Sequence, residues 1–165
     1  MTGGMGAYGE IHNGADDNAS GSSGVLELAE YFTAHPLKHP ILFLSFSAEE
    51  RGLLGSKAFV KEKVINPKKM LAMINLDMIG RMRDDYLFVG GMGTAKEFHE
   101  LLDPVFANNS LNFDLNDKGE APSDNTSFYH GGVPALFFFT DIHDDYHMPG
   151  DDAGGILYDE EVQIL

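Results

Sequence analysis

The chain has 165 residues, of which 43% are hydrophobic, so it is long enough and apolar enough to form a globular core. Its formal net charge is -15 at pH 7, with 26 acidic and 11 basic residues, which disfavours binding to nucleic acid or to an anionic membrane surface. The sequence has no cysteine, which excludes disulfides and thiolate metal ligands. None of its apolar runs reaches the length of a membrane span.

The spacing of apolar residues predicts helices and strands that alternate along the chain. Helices are predicted around residues 25–32, 53–62, 98–105 and 124–130, and from 159 onward. Strands are predicted at residues 41–46, 70–76, 86–89, 111–115 and 134–140. We expect the 41–46 and 70–76 strands to be buried and the 111–115 strand to lie at a sheet edge. The alternation predicts an α/β fold, with one domain spanning residues 1–165.

Two local patterns refine this picture. A serine at position 20, 22 or 23 is expected to cap the first helix. The Gly-rich residues 1–14 are predicted to form a loop, and residues 4–9 match the pattern G-x-G-x-x-G. This match lacks the preceding strand and the following helix that dinucleotide binding requires, so we assign it no such function.

Four acidic residues and one histidine stand where predicted strands or turns end. These residues are Asp17, Glu49, Glu50, Asp77 and His147. Because ligands of α/β sheets bind outside the carboxyl ends of the strands, we expect these side chains to meet at one edge of the sheet. Aspartate, glutamate and histidine are ligands that zinc accepts, so the pattern predicts a zinc hydrolase.

The segments around these residues resemble the co-catalytic di-zinc aminopeptidase family, which is related to glutaminyl cyclases and to the transferrin receptor ectodomain. The matching segments are residues 11–21, 48–56, 75–78 and 146–149. The resemblance implies a three-layer α/β sandwich with a mostly parallel mixed sheet, of the zinc-dependent exopeptidase type. It also implies a metallopeptidase that hydrolyses N-terminal residues from peptides.

The resemblance implies a role for each of the five positions. Asp17 resembles the carboxylate that bridges two zinc ions. Glu50 and His147 resemble further ligands of one ion, and Asp77 resembles a ligand of the other. Glu49 resembles the general base, which takes a proton from the zinc-activated water and passes it to the leaving amine. Glu49 and Glu50 are expected in an extended stretch, where neighbouring side chains diverge.

Four other positions have less specific interpretations. Ser123 and Asp124 resemble a Ser-Asp pair that lines the substrate pocket in the family, and a helix N-cap is the alternative of equal weight. Asp16 is expected to shape the turn rather than to bind metal. His143 is expected to flank the site rather than to join it.

The family's His-x-Asp motif, which supplies a histidine to the second zinc, does not occur before residue 14. We therefore expect the chain to begin downstream of that motif and to lack the first strands of the fold. One zinc ion is then expected, at Asp17, Glu50 and His147, where the complete family site holds two. His12 is a weak candidate to replace the missing histidine. We also expect weak or absent peptidase activity, and an exposed sheet edge that favours homo-oligomers.

Two alternative functions share this fold. A glutaminyl cyclase would use one zinc with an Asp-Glu-His ligand set, and a non-catalytic binding module would be similar to the receptor ectodomain. The intact turn Asp16–Gly21 favours the peptidase over the cyclase, and the presence of Glu49 beside the ligands disfavours the module. By resemblance, the substrate is a peptide and the parent protein is extracytoplasmic, that is, periplasmic or secreted.

Overall fold

The computed structural model of the protein describes residues 9–165. Its helices are α1 (Gly21–Ala34), α2 (Leu54–Lys61), α3 (Lys96–Ala107), α4 (Asn125–His130) and α5 (Tyr158–Ile164). Its strands are β1 (Met73–Leu76), β2 (Tyr86–Gly90), β3 (Asn112–Asn116) and β4 (Ala135–Phe139). All five predicted helices and four of the five predicted strands are thereby confirmed. Within residues 9–165, none of the helices is long and apolar enough to cross a membrane.

The described residues group into two compact units. The first unit contains the residues up to Ser45 together with Leu76–Met82 and Thr140–Leu165. The second unit contains Phe46–Asn75 and Arg83–Phe139. The prediction of one domain over residues 1–165 stays a prediction. Most of the predicted Gly-rich loop, with its G-x-G-x-x-G match, lies outside the described residues.

The first unit is built around α1, which follows a tight turn at Ala15–Ser20. The expected serine cap is wrong, because the hydroxyl of Ser20, the residue at the N-cap, makes no capping hydrogen bond to this helix. The hydroxyls of Ser22 and Ser23 instead donate to the carbonyls of Asn18 and Ala19, one turn earlier. A serine hydroxyl inside a helix commonly bonds the preceding turn in this way.

The second unit contains a mixed sheet, which confirms the α/β class predicted from the sequence. The strand order is β1-β4-β2-β3. Strand β2 runs parallel to β3 and antiparallel to β4, with Val89 opposite both Leu115 and Phe138. Strand β3 lies at the edge, as predicted. The buried core of this unit is formed by Leu87, Val89, Met92, Leu111, Phe128, Val133, Ala135, Leu136 and Phe137.

The prediction of a buried strand at residues 41–46 is wrong for the structure described. These residues form no strand, and Ile41 and Leu42 are 42% and 50% exposed. The prediction of burial also fails for β1, where Ile74 is 62% exposed. An apolar run becomes a buried strand only where neighbouring strands pair with its backbone, and periodicity does not report the presence of such neighbours.

Gly91 provides a test of the packing in the second unit. Its φ is +88°, and a Cβ there would lie 1.9 Å from the carbonyl oxygen of Ala135. We expect Gly91→Ala to lower the free energy of unfolding by at least about 2 kcal/mol, through backbone strain and overlap together. Urea denaturation measures this loss.

The matched control is Gly132→Ala. Gly132 has a similar φ of +81° but nothing within 4 Å of an added Cβ. This variant should lose only the contribution of backbone strain, about 1 kcal/mol. Equal losses in the two variants would contradict the close approach of Gly91 to β4.

Candidate metal centre

The turn that carries Asp17 is held by the side chains on either side of that residue. Asp16 is 0% exposed, and its Oδ1 accepts the N–H of Gly80 at 2.7 Å. The Ser20 hydroxyl accepts the N–H of Ile79 at 3.1 Å and donates to the Asp16 carbonyl at 2.8 Å. Burial raises the pKa of the Asp16 carboxyl. These contacts give Asp16 the turn-shaping role that was expected of it.

Asn18 connects the same turn to the residues on both sides of Asp77. Its Nδ2 donates to the Leu76 carbonyl at 3.0 Å, and its Oδ1 accepts the N–H of Met78 at 3.1 Å. One side-chain amide thus bonds the backbone on either side of Asp77. The segments that carry the two predicted aspartate ligands are therefore bonded directly to each other.

His147 faces Asp17. Its Nε2 lies 3.0 Å from Asp17 Oδ2, and both side chains are largely buried. The Tyr146 ring stacks on the imidazole with a centroid distance of 3.8 Å, which fixes the ring plane. His147 has a φ of +58°, a backbone conformation that non-glycine residues rarely adopt and that recurs at functional sites.

The Asp17–His147 pair fits a zinc ion. Zinc binds carboxylate oxygen and imidazole nitrogen at about 2.0–2.2 Å, so two ligand atoms of a tetrahedral ion lie about 3.4 Å apart. The separation of 3.0 Å between Asp17 Oδ2 and His147 Nε2 reaches that value with a shift of a few tenths of an ångström. The donor types and their spacing are those of a zinc ligand pair.

His143 lies behind the turn, where its Nε2 is 3.3 Å from Asp16 Oδ2. It is buried, and this burial, together with the nearby Arg81 cation, lowers the pKa of its imidazole. His143 thus contacts Asp16 while His147 contacts Asp17. This arrangement confirms the expectation that His143 flanks the site.

Glu49 and Glu50 lie in the second unit, in the 3-10 turn Glu49–Arg51. The expectation of an extended stretch is wrong, because this turn begins after Ala48, whose φ is +57°, and ends at Gly52, whose φ is +94°. Glu49 is half-buried and Glu50 is exposed, so the two carboxylates have different environments. Their roles as general base and zinc ligand stay predictions.

Ser123 and Asp124 also lie in the second unit, immediately before α4. The Ser123 hydroxyl accepts the Nδ2 of Asn75 at 2.6 Å. Asp124 is buried, which raises the pKa of its carboxyl, and its side chain does not cap α4. The N-cap alternative is therefore wrong for the Asp124 side chain, and the substrate-pocket role stays a prediction.

Two residues that support the Ala15–Ser20 turn, namely Asp151 and Arg81, were not identified from the sequence. Asp151 accepts the N–H groups of Asp16 and Asp17, and Arg81 forms ion pairs with Asp151 at 3.1 Å and Asp145 at 2.7 Å. The only available signal was the position of Asp151, four residues after His147. In a chain with 26 acidic residues, that signal does not single it out.

Comparison with known proteins identifies relatives of the chain. It is 41% identical over 70 residues to a probable zinc metalloprotease of Pyrenophora tritici-repentis (strain Pt-1C-BFP), covering 42% of this chain and 16% of that protein. It is 31% identical over 131 residues to leupeptin-inactivating enzyme 1 of Streptomyces exfoliatus, covering 77% of this chain and 29% of that protein. The chain thus spans less than a third of the length of these relatives.

Solved structures show the same relationship. A zinc aminopeptidase from Bacillus subtilis is 26% identical with a TM-score of 0.77, covering 96% of this chain and 42% of that chain. The Porphyromonas gingivalis glutaminyl cyclase has a TM-score of 0.68 at 18% identity, covering 93% of this chain and 60% of that chain, and shares the fold.

The fold, the turn sequence and these matches define the class as zinc metallopeptidases. Within that class, the chain belongs to peptidase family M28, whose sequence model matches residues 4–163.

The bonds of Asn18 lead to a prediction for this region. Asn18→Ala removes the bonds to Leu76 and Met78 and a third from the Gly21 N–H. We expect the free energy of unfolding to fall by about 2–3 kcal/mol, because three bonds are lost and each contributes about 1 kcal/mol. Urea denaturation in the presence of a chelator measures the effect without bound metal.

Ser22→Ala is the control, because it removes one exposed hydroxyl bond to the Asn18 carbonyl and leaves the link to the Asp77 segment in place. We expect this variant to unfold at the same urea concentration as the parent chain. A loss for Asn18→Ala no larger than that of Ser22→Ala would show that the amide does not join the two segments.

Proposed function

We propose that the chain forms the metal centre of an aminopeptidase, which removes N-terminal residues from peptides with a free amino terminus. The observation that carries the proposal is the 3.0 Å approach of His147 Nε2 to Asp17 Oδ2, in a turn whose sequence matches the family. Bound zinc supplies a Lewis acid that polarises the peptide carbonyl and lowers the pKa of water. Membership of family M28 and the named zinc peptidases among its relatives support this activity.

We infer that Glu50 joins Asp17 and His147 as a ligand of one zinc ion. Asp17 would also reach a second ion together with Asp77, a proposal supported by the Asn18 bonds that tie their two segments together. Zinc sites in enzymes have three protein ligands, so two carboxylates alone form an incomplete site. The 165-residue chain is therefore proposed to hold one zinc firmly.

His12 is the residue to consider if a second ion binds. It lies in the described part of the chain, and its Nδ1 is buried without a hydrogen-bond partner among the described residues. A buried ring nitrogen of this kind could serve as a metal ligand, because neutral imidazole binds zinc through either nitrogen.

Glu49 is proposed to be the general base. Its carboxylate would accept a proton from the attacking water and deliver that proton to the amine of the departing residue. The place of Glu49 beside Glu50, in the segment that matches the family, supports this role. No observation beyond the shared fold favours the glutaminyl cyclase alternative. For the location of the protein, we propose that the peptidase is extracytoplasmic.

The zinc content of the chain tests the ligand set. After dialysis, elemental analysis of the purified chain should find about one zinc per chain, because three ligands hold one ion. Glu50→Ala should lose that zinc, and Glu62→Ala, which removes an exposed glutamate at the end of α2, should keep it. Two zinc ions per chain would point to a further ligand such as His12, and an unchanged content in Glu50→Ala would overturn its role.

The role of Glu49 predicts a separation between activity and metal content. Glu49→Gln keeps the size of the side chain but removes its basicity, so it should lower the rate of leucine p-nitroanilide hydrolysis by at least about 100-fold. Its zinc content should equal that of the parent chain. We expect the parent rate itself to be low, so long incubations with saturating zinc are needed.

Two substrates separate the alternatives in the same assay. Cyclisation of the N-terminal glutamine of a glutaminyl peptide to pyroglutamate, with release of ammonia and without hydrolysis of leucine p-nitroanilide, would favour the cyclase. Equal rates for the parent chain and Glu49→Gln would contradict the general-base role.

A further inference from the structure

We propose that Asp151 is a positioning residue of the metal centre, which fixes the backbone at Asp17 and thereby sets the affinity of the chain for zinc. The inference rests on the proposed function, because it assumes that Asp17 is a zinc ligand. It adds a residue that lies outside the predicted ligand set and acts through the peptide groups of the turn.

The carboxylate of Asp151 is occupied by the backbone of the turn. Its Oδ1 and Oδ2 accept the N–H of Asp16 at 3.0 and 3.1 Å, and its Oδ2 also accepts the N–H of Asp17 at 3.0 Å. The Asp151 carbonyl accepts the N–H of Ala15 at 3.0 Å. Asp151 therefore accepts hydrogen bonds from three consecutive peptide N–H groups of the turn.

Burial of Asp151 increases the free-energy cost of losing these hydrogen bonds. Asp151 is 1% exposed, so water does not replace a lost bond at this position. Bonds from peptide N–H groups to a carboxylate are also stronger than bonds between neutral groups. A carboxylate in this position holds the turn in one conformation, and the direction of the Asp17 side chain follows from that of its backbone.

Arg81 holds the Asp151 carboxylate in place. One guanidinium nitrogen lies 3.1 Å from Asp151 Oδ1 and another lies 2.7 Å from Asp145 Oδ2. The Arg81 side chain is itself largely buried. Asp145 stands two residues before His147, so the guanidinium connects the support of Asp17 to the segment that carries the histidine.

The chemistry of the contacts makes Asp151→Asn an informative change. An amide has one acceptor oxygen and one NH₂ group, whereas both oxygens of Asp151 accept bonds. In either orientation of the amide, its NH₂ group faces a donor, which is Arg81 or the N–H of Asp17. The variant keeps the side-chain volume and loses the geometry of the turn.

A simpler explanation must be separated from positioning, since any nearby carboxylate attracts a cation. Asp152→Asn makes the same chemical change one residue along the chain, where the exposed carboxylate accepts a bond from Asn13 and none from the turn. Arg81→Gln removes a positive charge, so attraction alone predicts tighter zinc binding. Positioning predicts weaker binding, because Asp151 loses its support.

The experiment measures zinc affinity by competition with a chromophoric chelator, and the visible spectrum of the Co²⁺-loaded chain as a report of ligand geometry. We expect Asp151→Asn to weaken zinc binding by about 10- to 100-fold and to alter the Co²⁺ spectrum. Asp152→Asn should retain the parent affinity, and Arg81→Gln should bind zinc more weakly. Amide hydrogen exchange in the metal-free chain should be faster at Asp16 and Asp17 in Asp151→Asn and Arg81→Gln.

The outcomes distinguish the two proposals. If the parent chain does not bind zinc, the proposed function fails, and the inference fails with it. If the parent binds zinc and Asp151→Asn binds it equally well, only the positioning role is overturned. Equal losses in Asp151→Asn and Asp152→Asn, with tighter binding in Arg81→Gln, would show that charge alone acts. Should Asp151→Asn not fold, the affinity and hydrogen exchange of Arg81→Gln decide the question.

Discussion

The arrangement of the metal centre depends on a set of hydrogen bonds between the Ala15–Ser20 turn and the backbone that follows β1. Asp16, Asn18 and Ser20 each bond peptide groups of residues 76–80. Asp17 lies between Asp16 and Asn18 in the chain, so the residues that fix the turn flank the residue proposed to bind zinc. A buried peptide group without a hydrogen-bond partner is costly in free energy. The bonds from these three polar side chains therefore restrict the turn to a narrow range of conformations.

Three residues at or beside predicted site positions adopt unfavourable backbone conformations. Ala48, Met78 and His147 all have φ between +54° and +58°, and each is next to, or is, a predicted site residue. Such conformations cost about 1–2 kcal/mol for residues with a Cβ. They persist where surrounding contacts over-determine them, as the Asn18 bond to Met78 does here. The contacts that stabilise the fold therefore offset the free-energy cost of these backbone conformations.

Most elements of the fold follow from local sequence patterns. The helix at Val25–Phe32 and the strand at residues 134–140 have strong periodicity or strong apolarity, and the structure contains both. The 41–46 run has the same apolarity and forms no strand in the described structure. The difference lies in the pairing partners, which are long-range contacts that a short window of sequence does not contain.

The metal site shows a similar division. The positions of Asp17 and His147 were predictable because the residues around them match a family pattern, and the structure brings these two side chains together. Asp151 and Arg81 were not predictable, because their importance comes from bonds between residues about 70 and 135 positions apart. A carboxylate that binds peptide groups looks the same in sequence as one that faces solvent.

The amide of Asn18 has a consequence for how the protein is produced. Asn18-Ala19-Ser20 is an acceptor sequence for N-linked glycosylation, and the sugar would be attached to the nitrogen that donates to the Leu76 carbonyl. A glycan on this nitrogen would crowd the part-buried bond to the Leu76 carbonyl and so disfavour the turn. A host that glycosylates secreted chains before they fold would therefore yield a fraction that never assembles the zinc site, whereas a bacterial host would not.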